Sequence, residues 1–306
     1  MMKLNVMPLG LLLAACVLAA PLQAQTGKKL PQAAIEVAKS ESVMSMRVDG
    51  ELLISPEGEV REHRITTEVP SGIKAMIDKS IAGWRFKPIT DDAGKPVLAK
   101  TFMRLTFVAR EAAGDDYTVT LENVRFHDGK KPDYRGAAHE KGIDVVTTAR
   151  PQYPALMLAN NVNGSALVQI LFDAEGKVED AIIVQSAMFN VRGHSDVLEQ
   201  AVAEMEKESL RAVRRMRVAF GPQADLDDPR ARSGYLAINY WMEGKRNDSN
   251  ELRQPGKWRQ EQRGPLRAAV WLGDAARVGI SDVDGTESLM SGEKSPIKPL
   301  SGVPML

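Results

Sequence analysis

The chain has 306 residues, 43 % of them hydrophobic, with 40 Lys plus Arg against 40 Asp plus Glu and a single cysteine. That length allows two modest domains, and the apolar share is enough to build a core in each. Balanced charge excludes a global field drawing the chain to nucleic acid or an anionic membrane, and one cysteine excludes a disulfide framework.

Residues 1–24 read as a signal peptide. Lys3 gives a short positive start, Leu9 to Ala20 an apolar core, and Leu22-Gln-Ala24 a signal-peptidase site. The run is too short for a comfortable membrane span, so the expectation is cleavage rather than anchoring. A competing reading is Leu13-Ala-Ala-Cys16 as a lipobox, which would lipidate Cys16. Against it, Val17 to Leu22 stays apolar past the cysteine, as in an ordinary signal.

After an N-terminal segment, 25–41, the stretch 42–110 reads as a first folded unit. Leu52-Leu-Ile-Ser-Pro-Glu-Gly-Glu-Val60 aligns without a gap on the later Ile170-Leu-Phe-Asp-Ala-Glu-Gly-Lys-Val178, which places Gly58 over Gly176. Each is a hairpin signal, two apolar runs joined by a short turn whose glycine supplies positive φ. Ser71 is expected to cap a helix with face Ile73, Ile77, Ile81 and Trp84. Trp84-Arg-Phe-Lys-Pro88 leads through a turn at Gly94 into a strand from Thr101 to Val108, with Trp84 and Phe86 read as core aromatics. Residues 111–149 read as a linker carrying an extra strand, in which Tyr117, Val119 and Leu121 alternate.

The stretch 150–243 repeats the plan. Tyr153-Pro154 suits a helix entry, Gly164 opens the strand Ala166 to Phe172, and Asp173-Ala-Glu-Gly176 turns into a second run from Lys177 to Val184. Ser195 or Asp196 caps a helix with face Leu198, Ala201, Val202, Met205, Val213 and Met216, and Arg211, Arg214, Arg215 and Arg217 crowd its last turns. Tyr235 to Trp241 closes the unit as a strand. The fold expected is α+β: two small units, each an antiparallel sheet of hairpin plus closing strand with a helix on one face. The tail, 244–306, is polar and broken by prolines, and is expected to be largely disordered.

In this order Tyr153, Pro154, Gly164, Asp173 and Gly176 make the segment 150–243 resemble the C-terminal domain of the TonB family. Its aromatic-Arg-Phe-x-Pro step is kept at Trp84, Phe86 and Pro88 in the first copy and degraded to Arg217-Val-Ala-Phe220 in the second. The resemblance implies a periplasmic adaptor that binds a short segment of an outer-membrane receptor and serves energy-dependent transport across the outer membrane. A stand-alone envelope-binding or structural module is the alternative, since the chain lacks a long Pro-rich spanning linker.

No catalytic constellation emerges, and the expectation is a non-enzyme without cofactor or metal. His194-Ser195-Asp196 are adjacent and cannot converge on one point as a triad. His127 and His139 fit no ligand spacing. The expected partner is a protein or peptide, with no nucleic acid and no small-molecule substrate evident. The candidate binding residues are Tyr235, Ala237, Ile238, Asn239, Tyr240 and Trp241, a final strand whose edge no charge or proline guards and which suits strand addition. The competing expectation is that residues of the tail, with Trp258 to Leu272 as the candidate segment, fold back and cover this edge.

Overall fold

The computed structural model describes residues 34–114, 116–127, 143–148, 150–191, 195–242, 254–272, 279–280, 289–291 and 299–303. The signal peptide with Cys16, the linker histidine His139, and His194 lie outside the described residues.

A short strand β1 (Ala34–Ala38) precedes the 14-residue β2 (Glu41–Ile54), which turns into β3 (Val60–Ile65). Helix α1 (Ser71–Ile81) and the two-residue β4 (Arg85–Phe86) follow, then β5 (Ala99–Glu111) and β6 (Tyr117–His127). The second half runs β7 (Ile143–Thr147), α2 (Ala155–Asn160), β8 (Asn163–Phe172), β9 (Val178–Phe189), α3 (Ser195–Val213), β10 (Arg217–Phe220) and β11 (Ser233–Tyr240). The tail adds β12 (Arg259–Arg263), β13 (Leu266–Ala269), β14 (Leu289–Ser291) and β15 (Pro299–Ser301).

Two separate α+β units are not what forms. The strands of both halves join one antiparallel sheet in the order β14-β11-β8-β9-β12-β2-β5-β6, with β3 added on β2. The strand that merges them comes from the tail: β12 pairs with β2 over Glu41–Ser45 and with β9 over Ala187–Phe189. Part of the segment expected to be disordered is thus central to the sheet. Its charges alternate, Arg259, Glu261 and Arg263 on one face and Gln260 and Gln262 on the other, so it carries strand periodicity without apolar residues. The remaining added strands are short: β1 pairs β13, β7 pairs β10, and β15 pairs β4.

Within this sheet the halves share a plan. β2 and β8 each hold a hairpin partner, β3 or β9, on one side and the later strand β5 or β11 on the other. The two turns are built alike. Ser55 N donates to Glu59 O at 2.8 Å and Gly58 N to Ser55 O at 2.9 Å; Asp173 N donates to Lys177 O at 2.8 Å and Gly176 N to Asp173 O at 3.0 Å. Lys177 N also donates to Asp173 Oδ1 at 2.7 Å, an Asx-type bond that explains the aspartate. Gly58 and Gly176 sit at φ 84° and 75°, where a side chain is strained. Beside them the post-helix strand docks in both halves, Phe86 N on Gly58 O at 2.8 Å and Val218 N on Gly176 O at 2.9 Å. Arg217-Val218 therefore does geometrically what Arg85-Phe86 does, although the sequence step is degraded.

The register puts both helices on one face of the sheet. Directly paired residues share a face, so Met46 and Val48 of β2 lie opposite to Ser45, and Met188 of β9 opposite to Phe189. Ile73, Ile77 and Ile81 of α1 bury against Met46, Val48, Leu52 and Ile54, together with Trp84 and Phe86. Trp84, Phe86 and Phe126 meet edge to face, at centroid distances of 5.3 to 6.5 Å. Pro88 is exposed beyond them. Ala201, Met205 and Val213 of α3 bury with Ala166, Val168, Ile170 and Met188.

Helix ends differ from the sequence expectation by a residue or more. Pro70, not Ser71, is the N-cap of α1, and no side chain caps it. Its φ of −56° and ψ of 148° set the entry to the helix. Pro154 is likewise the N-cap of α2 rather than its first helical residue. α3 stops at Val213, so Arg211 alone of the four arginines lies in its last turn, where it bonds Glu208 and Gln152; Arg217 belongs to β10.

Gly164 has a packing reason: a Cβ there would meet Met205 Sδ at 2.8 Å, the Ala187 carbonyl oxygen at 2.9 Å and Met157 Cε at 2.9 Å. Gly164→Ala is expected to cost ~1–2 kcal/mol, read as a lower urea midpoint, because flexible methionines yield but the backbone oxygen does not. A midpoint equal to wild type would show that the Ala187 carbonyl of β9 yields as freely as the methionines.

Candidate functional site

β11 holds five of the six residues singled out for binding, with Trp241 just past its end, and its own sequence makes it a buried strand: Tyr235, Leu236, Ala237, Ile238 and Tyr240 are all buried. On one edge it pairs with β8 through eight residues, Ser233 to Tyr240. On the other, β14 pairs antiparallel with it, setting Ser291, Met290 and Leu289 opposite Gly234, Tyr235 and Leu236. The edge is covered by the tail, as the competing expectation has it, but by residues 289–291 and not by the Trp258–Leu272 stretch, whose strand Arg259–Arg263 lies between β9 and β2.

Alternation splits the β11 side chains between two environments. Leu236, Ile238 and Tyr240 join the core under α3, whereas Tyr235 and Ala237 join a second cluster with Leu167, Val184, Phe189 and Leu266. Asn239 accepts a hydrogen bond from Ser165 Oγ at 2.6 Å, which fixes the register where the two residues face each other. Met242 N donates to Asn163 Oδ1 at 2.7 Å and anchors the end of the strand.

Tyr153 connects α2 to this strand. Its hydroxyl donates to Val162 O at 2.7 Å and to Tyr240 O at 3.3 Å, and its ring meets Tyr240 edge to face at 5.6 Å. Tyr240 in turn shares a 2.9 Å hydrogen bond with Ser209 of α3. Burial pushes both phenols up to about 12. A phenol raised above its unfolded value of 10.0 stabilises the fold below that pH, and the contribution fades as pH climbs from there toward about 12. Tyr240→Phe is expected to cost ~1 kcal/mol in urea unfolding at neutral pH, since Ser209 keeps its bond to Met205 O. It should also weaken the alkaline loss of stability; an unchanged alkaline limb would assign that loss elsewhere.

Trp241 leads from the strand into a feature that sequence reasoning missed. It stacks on Phe189 at 5.1 Å and 9°, and the Arg259 guanidinium lies 4.3 Å from the Phe189 centroid on the same face as Ser45. There Glu261, 1 % exposed, accepts from Ser45 Oγ at 2.5 Å, Arg259 Nη2 at 2.5 Å and Arg263 Nε at 2.8 Å. Arg263 reaches on to Glu122 at 2.9 Å, and Arg110 ties Glu122 at 2.6 Å to Glu41 at 2.8 Å. Three carboxylates thus meet three guanidiniums across β12, β2, β5 and β6.

Burial by itself would raise the Glu261 carboxyl, but Arg259 and Arg263 overcome it and hold the group well below the usual range. Arg263 is raised although burial opposes it, because Glu261 and Glu122 face it. Burial, then the neighbouring Arg259, pulls Arg47 down to about 9, still charged at neutral pH. The one sequence signal for this network was the alternation Arg259-Gln-Glu-Gln-Arg263, hidden in a polar tail.

Among the described residues no helix is long and apolar enough to cross a membrane, and no group of three His, Cys, Asp or Glu is placed to hold a metal. His127 stacks on Phe102 at 5.6 Å. No family model, no curated protein and no solved structure matches the chain.

Proposed function

We propose that the protein is a non-catalytic periplasmic adaptor that binds an extended segment of an outer-membrane receptor by strand addition along β11, as the TonB-like motif order implies. The observation that carries this reading is β14: an extended stretch of the chain, distant in sequence, docks antiparallel on that edge. Strand addition needs backbone donors and acceptors in register, and β8 and Asn239 hold β11 in a defined one. Because β12 merges both halves, the adaptor works as one platform rather than as two tethered domains. In this reading it serves energy-dependent transport across the outer membrane by holding the receptor segment.

Site-specific photocrosslinking in cells tests it. A benzophenone side chain in place of Trp241 should yield an adduct that mass spectrometry identifies as an outer-membrane receptor. The same group at Val146 of β7, 67 % exposed and away from β11 in the pairing, should not. An exported, folded chain giving no receptor adduct from Trp241 would reject the reading.

A further inference from the structure

We propose that Leu289–Ser291 is a built-in competitor, which closes the β11 edge until a longer extended segment displaces it. The inference rests on the peptide-binding reading above and concerns the regulation of that site. Among the described residues, the occupant pairs with three residues of β11, against the eight that β8 engages on the other edge. A strand bonded at so few positions is held mainly by belonging to the same chain, which gives it a high effective concentration but few contacts to lose. A segment matching the full length of β11 would make more backbone bonds and win the exchange.

The same architecture recurs elsewhere in the molecule. β7 lies on β10 and β15 on β4, beside the equivalent glycine turns of the two halves. Completing exposed backbone with short segments from outside the repeated core is therefore how this fold finishes its edges. β14 differs from the others in lying on the strand whose residues were singled out for binding. Its register also states the chemistry of a successful competitor: an extended segment running antiparallel to β11, with uncharged residues in the places of Leu289, Met290 and Ser291.

The test uses the full chain with residues 287–293 replaced by an equal length of Gly and Ser, which leaves β15 in place. The probe is a labelled synthetic peptide of residues 284–296 of this protein. The replaced chain should bind it at least about ten-fold more tightly than wild type, because the tethered competitor is gone. Hydrogen exchange of the peptide segment 233–240 should rise in the replaced chain and fall again when the probe is added. The receptor adduct from Trp241 should also increase. Equal probe affinity for both chains, or binding to neither, would overturn the occupancy of this edge. Preferential probe binding by the replaced chain, with an unchanged receptor adduct, would overturn the competition. Preferential probe binding with no receptor adduct from either chain would instead remove the receptor reading and leave β14 as an exchangeable strand.

Discussion

Glu261→Gln is expected to destabilise the fold by ~3–5 kcal/mol, because it leaves buried guanidiniums without their shared counter-charge. The carboxylate lies between Arg259 and Arg263 and is 1 % exposed, so no solvent replaces what it supplies. Glu41→Gln is the internal control: its carboxylate is 32 % exposed, and its loss should cost ~1 kcal/mol or less. Urea unfolding separates the two, and hydrogen exchange should show β12 loosening first in Glu261→Gln. A Glu261→Gln midpoint as high as that of Glu41→Gln would mean that the network is hydrated in solution. The pH dependence has a definite sign. Glu261 is held below its unfolded value of 4.5, so its contribution is complete above that pH and is lost as acid carries the pH below it. Wild type should therefore show a steeper acid limb than Glu261→Gln.

Gly176→Val is expected to cost roughly 3 kcal/mol or more, from positive-φ strain together with the loss of the strand docked beside the turn. A Cβ at this position would stand 1.9 Å from the Val218 carbonyl oxygen, at a φ of 75°. The chain must either open the turn or push β10 away. For a chain of this size each kcal/mol moves the melting temperature by about 2–4 °C, so a fall of roughly 6–12 °C is anticipated. Gly94→Ala isolates the strain, since that glycine also has positive φ, 77°, but nothing lies within 4 Å of its added Cβ. It should lose only ~1 kcal/mol. If the two variants melt together, the contact with Val218 contributes nothing.

The amino-acid sequence alone determined the local elements. Asp173 and Gly176 specify one hairpin turn and Gly58 the other, because turn chemistry acts over four or five residues. The spacing of Ile73, Ile77 and Ile81, and of Ala201 and Met205, specified two amphipathic helices for the same reason of short range. β11 was legible from Tyr235 to Trp241 as an apolar run, and Tyr153 as a packing residue at a helix entry. Which strands would meet was decided only in three dimensions. Arg259 lies 214 residues from Ser45 along the chain, and nothing local to either announces the other. A strand such as Arg259–Arg263, made of arginine, glutamine and glutamate, has no intrinsic preference for burial. It becomes interior because β9 and β2 satisfy its backbone on both sides while Ser45 and Glu122 help to satisfy its charges. The three residues of β14 carry still less local signal, and only the edge of β11 makes them a strand. Two hairpins with complementary edges suggest two small sheets, and it took a strand with a partner on each side to make them one.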